Sequence, residues 1–323
     1  MIAGMTIYQI SWYFFIYSVA GWCIEVIFHA ISVGKVINRG FLCGPVCPVY
    51  GFGILSVFAV VNSVLPYIFH YPVEKLVDGE DVVGILIVFL CGVVFATVVE
   101  LVAGWLLDVA FHARWWDYSN EPFNLNGYIC VRFSLIWGLA CLLVVRVIQP
   151  AMANSLLLKI PEKIGWPILG ALDVTILADF IVTIMIVAGL NKKLKELDEV
   201  RRRMSIVSDE LSEKLATGTM RAQTSLEEQR VQATLAKYEA RDAVQEQKKK
   251  IQGKADATKQ RTRELQERAG ALKEKILSGR FFGSRRILEA FPGMEHRKYQ
   301  EVLLAIQRDL HVMDKAINKG GKD

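Results

Sequence analysis

The chain has 323 residues, 53% of them apolar, a formal net charge of +5 and a mean hydropathy of +0.31. The average hides two halves: residues 1 to about 190 are nearly all apolar, aromatic or small, whereas 191–323 are rich in Lys, Arg, Glu, Gln and Ala. That division excludes a single soluble globule and reads as a membrane domain followed by a soluble helical tail; a charge of this size does not point to nucleic acid. All six Cys fall in the apolar half, where Cys acts as a small hydrophobe, so no disulfide framework is expected.

Five spans are expected, at about 7–32, 48–69, 83–112, 128–149 and 167–190. The start, Met1 to Gln9, lacks a basic n-region and the first apolar run is too long for a cleavable signal peptide. Lys192, Lys193, Lys195 and Arg201 to Arg203 follow the fifth span, which places the C-terminal tail in the cytosol and, counting back, the N-terminus outside. Loop 70–82, with Glu74, Asp78, Glu80 and Asp81, is then outside; Lys159 and Lys163 are the misfit, lying in a loop this topology also puts outside.

One stretch occurs twice. Residues Ala20-Gly21-Trp22-Cys23-Ile24-Glu25-Val26-Ile27-Phe28-His29-Ala30 match Ala103-Gly104-Trp105-Leu106-Leu107-Asp108-Val109-Ala110-Phe111-His112-Ala113 in register. Gly21, Glu25 and His29 are spaced i, i+4, i+8, as are Gly104, Asp108 and His112, so each set forms one helical ridge of small residue, carboxylate and imidazole. A carboxylic acid in a span costs roughly 3 kcal/mol on insertion scales, which makes its repetition notable. The match continues with Gly40-Phe41-Leu42-Cys43 against Gly127-Tyr128-Ile129-Cys130 and Tyr50-Gly51 against Trp137-Gly138. The pattern predicts tandem two-helix units at about 7–69 and 83–149 with the same up-down sense, the span 167–190 being extra.

Glu25 and Asp108 then lie roughly 6–8 Å from the cytosolic ends of their helices. Arg132 falls at a similar level, with His29 and His112 at the interface beside Arg39 and Arg114, so these groups are expected to form one cytosol-side polar layer. Glu100 lies two turns further out, on the row through Gly92, Ala96, Gly104 and Asp108, and its counterpart in the first copy is Tyr17. Asp173 and Asp179 are further acids in the fifth span.

The connection Asn38 to Gly53 is too rich in Gly and Pro for a regular helix before about Pro48, and reads either as a short re-entrant element or as a loop whose prolines open the second span. The second connection, Ala113 to Asn124, reads as an aromatic interface belt anchored by Trp115 and Trp116. In the tail, Leu197, Val200, Met204, Val207 and Leu211 alternate by three and four, and Thr217-Gly218-Thr219 interrupts them. Ile251, Ala255, Thr258, Thr262, Leu265, Ala269, Leu272 and Ile276 give a heptad, so 191–278 is expected to form coiled-coil helices that fold back or pair with another chain. A C-terminal helical module, 279–323, carries Phe281-Phe282 and Arg280, Arg285 and Arg286, which either cap the tail or touch the membrane.

The runs Gly21-Trp22-x-x-Glu25, Asn38-Arg39-Gly40-Phe41-Leu42-x-Gly44-Pro45-x-Cys47-Pro48-x-Tyr50-Gly51 and His112-Ala113-Arg114-Trp115-Trp116-Asp117-Tyr118-Ser119 resemble the bacterial family called putative ABC-transporter type IV permeases. The resemblance covers roughly the membrane half. It implies a polytopic inner-membrane protein, the permease part of a transporter powered by a separate ATPase subunit, and carries no substrate. The short cytosolic loops and long tail depart from what a permease leads one to expect.

Glu25 with His29 and Asp108 with His112 read either as proton-linked pairs or as structural partners that neutralise Arg39, Arg114 and Arg132. Zinc ligation by the same groups lacks a tight ligand cluster, and Cys43-x-x-x-Cys47 with Cys130 is weaker still; no metal or cofactor is implied. No G-x-x-x-x-G-K-[ST], G-x-S-x-G or H-E-x-x-H run occurs, so an enzymatic reading rests on the polar layer alone, with Arg39 and Arg114 placed to hold a lipid phosphate head group. Three readings follow: a permease-like subunit completed by a partner or a homodimer, a membrane enzyme or lipid-head-group binder, and a scaffold whose tail is the interaction surface.

Overall fold

A computed structural model describes residues 5–77, 81–153, 160–229, 239–278 and 283–320. Asp78, Glu80, Lys159, Arg280 and Phe281-Phe282, singled out in the sequence, lie outside the described residues. The chain divides into two compact units, one of Met1–Leu190 with Gly279–Leu303 and the other of Asn191–Ser278 with Leu304–Asp323. The stretch 279–323, read as one module, therefore contributes to both.

The first unit is an all-α membrane bundle. Helices α1 (Ile7–Val33), α2 (Pro48–Ile68), α3 (Val82–Phe111) and α4 (Val131–Met152), with the apolar first part of α5 (Glu162–Gln229), are each long and apolar enough to cross a bilayer. Local chemistry sets their ends. The Thr6 hydroxyl accepts from Gln9 N and the Gln9 side chain accepts from Thr6 N, a capping box that opens α1. Gly34, at φ 73°, closes it with its N–H on Ala30 O. Pro48 opens α2 from the first turn, where its missing N–H costs nothing, and Asp81 caps α3 by accepting from Val83 N.

Helix α3 explains how a span carries two acids. Gly84, Val88, Gly92, Ala96, Glu100, Gly104 and Asp108 recur every four residues and all are buried. The exposed side carries its own row, Val82, Leu86, Leu90, Val94, Val98, Val102 and Leu106, as a lipid-facing surface should. A strict spacing of four drifts by about 40° per step on an α-helix of 3.6 residues per turn. A π-helical turn at Gly92–Ala96 takes up part of that drift. The small residues on the inner row let α4 approach: a Cβ on Gly92 would lie 2.6 Å from Cys141 Cβ, and one on Gly138 2.8 Å from the Phe89 ring.

The hairpin α1–α2 packs on the hairpin α3–α4 through a core that includes Tyr17, Val57, Phe58, Val61, Val88, Cys141 and Val145. Tyr50 and Trp137, aligned in the two sequence copies, meet edge to face at 5.1 Å across this junction. The start of α5 lies against α1, with Leu169 packed on Tyr8, Trp12 and Phe15 and the Tyr8 hydroxyl donating to Ile160 O.

The first connection, 35–47, is non-helical, and its backbone is satisfied by distant side chains. The Asp179 carboxylate accepts from Cys43 N at 2.9 Å and Gly44 N at 2.7 Å. Arg286, on α7 (Ser284–Ala290) and only 3% exposed, donates to the carbonyls of Gly40 and Phe41, both at 2.9 Å, and of Leu42 at 3.2 Å. Burial lowers the Arg286 pKa, while nearby Cys43 and Asp179 oppose that shift. Asn38 accepts from Trp22 Nε1 and Gly40 N and donates to Cys43 O, pinning the turn from within. Irregular backbone survives beside a bilayer only when it is satisfied this way.

The second connection satisfies more of its own groups. Strands β1 (Ala113–Arg114), β2 (Asn124–Leu125) and β3 (Ile129–Cys130) follow α3, and β2 pairs antiparallel with β3. Strand β1 pairs antiparallel with β4 (Glu295–His296), Ala113 opposite His296. Trp115, expected as an interface anchor, is instead buried, with Phe41 at 5.1 Å and Phe291 at 4.8 Å. The strand pairing turns that stretch inward, beneath the 283–303 segment.

In the second unit, α5 continues through Thr217-Gly218-Thr219 to Gln229 without the expected break, because one Gly costs only about 1 kcal/mol in a helix. Lys193, near the unit's start, donates to Lys275 O near the end of α6 (Glu239–Leu277), the pairing that an antiparallel return gives. Lys273 also pairs with Asp309 of α8 (Gln300–Gly320).

Candidate functional site

Where α1 and α3 end beside α2 and α4, the bundle encloses a cavity of about 160 Å³. Its polar walls are Glu25, Arg39 and Glu100; Tyr50, Trp116, Tyr118 and Trp137 line it, and Phe41, Trp115 and Phe291 close one side. Cys47 also faces it, its thiol pushed up to about 12 by burial and then by the Glu25 charge, so it stays a protonated, weakly polar wall.

The ridge motif explains how the acids are held. A Cβ on Gly21 would sit 2.5 Å from Tyr50 Cβ, so only glycine lets Tyr50 cross α1 there. One turn on, the Tyr50 hydroxyl donates to Glu25 at 2.7 Å. On α3 the same step recurs: a Cβ on Gly104 would lie 3.2 Å from the Tyr128 ring, and the Tyr128 hydroxyl donates to Asp108 at 2.6 Å. Each small residue is thus a passage for the tyrosine that reaches the acid one turn later.

The surroundings of the two acids then diverge. Glu25, its side chain 31% exposed, lies 3.6 Å from Arg39 Nε, and Arg39 Nη1 lies 3.4 Å from Nδ1 of the buried His29. Asp108 is fully buried and faces Arg114 at 3.5 Å and Arg297, which bonds it directly. Arg114 also stands over the Tyr128 ring at 4.9 Å. Arg297 arrives on the 283–303 segment, where its own N–H donates to His112 O. Side-chain hydrogen bonding to Asp108 raises the Arg297 pKa, reinforced by the carboxylate charge.

Glu100 is 5% exposed and accepts from Trp137 Nε1 at 2.9 Å and the Tyr118 hydroxyl at 3.1 Å. Burial first, and then the Glu100 charge, push the Tyr118 phenol above its ordinary 10, so it remains a donor.

The structure therefore brings Glu25, Arg39 and Glu100 to one cavity, with His29 behind Arg39. Asp108 and Arg114 form a second cluster. His112 is exposed: at φ 54° it ends α3, and its backbone serves the strand pairing while its imidazole takes no part in either cluster. Arg132, 66% exposed, pairs with Glu121 at 3.2 Å, away from both. Asp179 caps the first connection, and Asp173 is exposed on α5. Sequence reasoning missed Tyr118, Arg286 and Arg297 as partners of the motif, and it noted Tyr50, Tyr128 and Trp137 only as aligned positions. Among the described residues no group of three or more His, Cys, Asp or Glu is placed to hold a metal ion.

The model of the family described as putative ABC-transporter type IV matches residues 12–184. The chain belongs to that family. The matched stretch runs from Trp12 in α1 to Ile184 in α5 and includes Glu25, Glu100, Asp108 and Asp179. No curated protein and no solved structure gives a match. The chain is thus an ABC-transporter-related membrane protein, with five helices long and apolar enough to cross a bilayer among the described residues.

Proposed function

We propose that the chain is the permease-like membrane subunit of a bacterial inner-membrane ABC transporter, driven by a separate ATPase, and that the cavity at Glu25, Arg39 and Glu100 is its cytosol-side site. The observation that carries this reading is a cavity between two helical hairpins with two intramembrane acids in its wall, both acids lying inside the region matched to the family. Acids in a span are costly and are retained mainly where they line a path or a site. The basic run after the fifth span supports a cytosolic tail and an outside N-terminus. The tail, 191–278, is then the part free to meet a helical partner or a second copy. The head-group reading draws less support, because Arg39 and Arg114 already face Glu25 and Asp108.

The test is purification of the tagged full chain from its native membrane in a mild detergent. The reading expects a protein carrying a Walker A motif at a near-equal ratio, with ATP hydrolysis that falls when Glu25→Gln and Glu100→Gln are combined. A functional chain that purifies with no nucleotide-hydrolysing partner would overturn it.

A further inference from the structure

Among the acids of the membrane spans that meet a partner, Glu100 differs in what surrounds it. Asp108 faces two guanidinium groups, Glu25 faces Arg39, and Asp179 is held by two backbone N–H groups. Both oxygens of Glu100 meet neutral donors, an indole and a phenol, and among the described residues no cation pairs with it. Its carboxylate lines the cavity, and with Glu25 and Arg39 offsetting each other the cavity walls carry one acid in excess. Most of the remaining wall is aromatic, with Tyr50, Trp115, Trp116, Tyr118 and Trp137 among its rings, and Cys47, Pro48, Val49 and Leu107 complete it. Aromatic walls around an acid match one ligand chemistry, a weakly hydrated organic cation: the rings attract its charge without demanding directed hydrogen bonds, and the acid neutralises it. A hydrated metal ion would instead need several oxygen ligands, which this wall does not offer.

We propose that the cavity binds a small organic cation, an ammonium or quaternary ammonium head, with Glu100 as its counter-ion and the surrounding rings as its cage. This rests on the permease reading only in calling the ligand a transported substrate; the binding site itself stands on Glu100 and the rings. The headspace of about 160 Å³ suits a head group of a few heavy atoms, with the remainder of a larger molecule projecting from the opening.

The experiment is calorimetric titration of the detergent-purified full chain with choline. A parallel titration uses the uncharged alcohol in which a tert-butyl group replaces the trimethylammonium. Choline is expected to bind saturably, at least 10-fold tighter than its neutral twin, and Glu100→Gln to weaken choline at least 10-fold. Glu121→Gln, at the exposed Arg132 pair, is expected to leave binding unchanged. Equal affinity for the two probes, unaltered choline affinity in Glu100→Gln, or no saturable binding by the native chain would each overturn the proposal. If Glu100→Gln fails to fold, the paired titration of the native chain decides alone. Choline binding without a co-purifying ATPase would sink the transporter reading and keep the site; the converse would do the opposite.

Discussion

Glu25 and Asp108 occupy the same place in a repeated motif, each one turn after a glycine and each receiving a tyrosine hydroxyl, yet they live differently. Glu25 opens onto a cavity with one arginine beside it. Asp108 has no exposure and is clasped by two arginines, one of them brought by residues 283–303. The motif fixes where an acid sits and how a tyrosine reaches it; the loops and the C-terminal segment decide whether it stays available. Glu100, which has no acidic counterpart in the first copy, takes the inner wall of the cavity and makes the pair of hairpins unequal.

The two connections repeat that contrast, and the largest expected effect lies there. Arg286→Met removes a buried guanidinium from three carbonyls of the first connection. At about 1–3 kcal/mol per stranded acceptor, the loss should reach about 3 kcal/mol or more. Thermal unfolding in detergent should drop by several degrees, with amides 40–44 exchanging fastest. Asn124→Ala in the self-satisfied second connection should cost about 1 kcal/mol.

The ridge glycines come next. Gly21→Ala drives a methyl into the root of the Tyr50 side chain, an overpacking of about 2 kcal/mol that should also pull Tyr50 off Glu25. Gly104→Ala meets ring atoms at 3.1–3.2 Å, so a shift of a few tenths of an ångström absorbs it, at a cost of about 1 kcal/mol or less. Equal losses of stability in the two variants would show that the passages are not the different structures described above.

The smallest effect is a pH dependence of the β1–β4 clasp. Burial first, then His112 and Lys298, hold the His296 pKa below its ordinary 6.5, and its Nδ1 accepts from Lys298 N and Tyr299 N, which requires that nitrogen unprotonated. The unfolded segment therefore takes up a proton first as pH falls. The clasp has its full stability above pH 6.5 and loses it as pH falls from there towards the lowered folded value. Amide exchange of residues 294–299, corrected for intrinsic rates, should quicken at pH 5 relative to pH 7.5, and His296→Gln should flatten that difference.

Much of this was legible in the chain itself. The spans follow from hydropathy, and the inner row of α3 from a spacing of four between small residues and acids. Tyr50, Tyr128 and Trp137 stood at aligned positions, but alignment does not say that a hydroxyl or indole reaches a carboxylate. Arg297 carried no local signal, and Arg286 was read only as capping the tail or touching the membrane, because they meet partners 189 and up to 246 residues away. Trp115 was misread because an aromatic after a span usually marks the lipid interface, whereas strand pairing with residues 295–296 folds it inside.

Glu100 is a cavity acid that no described cation holds, and Asp108 is locked by two arginines. Labelling with diisopropylcarbodiimide tests this difference directly, because this small uncharged reagent enters apolar cavities and modifies carboxyls that no cation holds. Peptide mass spectrometry of the labelled full chain should find the adduct on Glu100, with Asp108 unmodified until Arg297 is replaced. Modification of Asp108 in the native chain ahead of Glu100 would mean that the two arginines do not hold it.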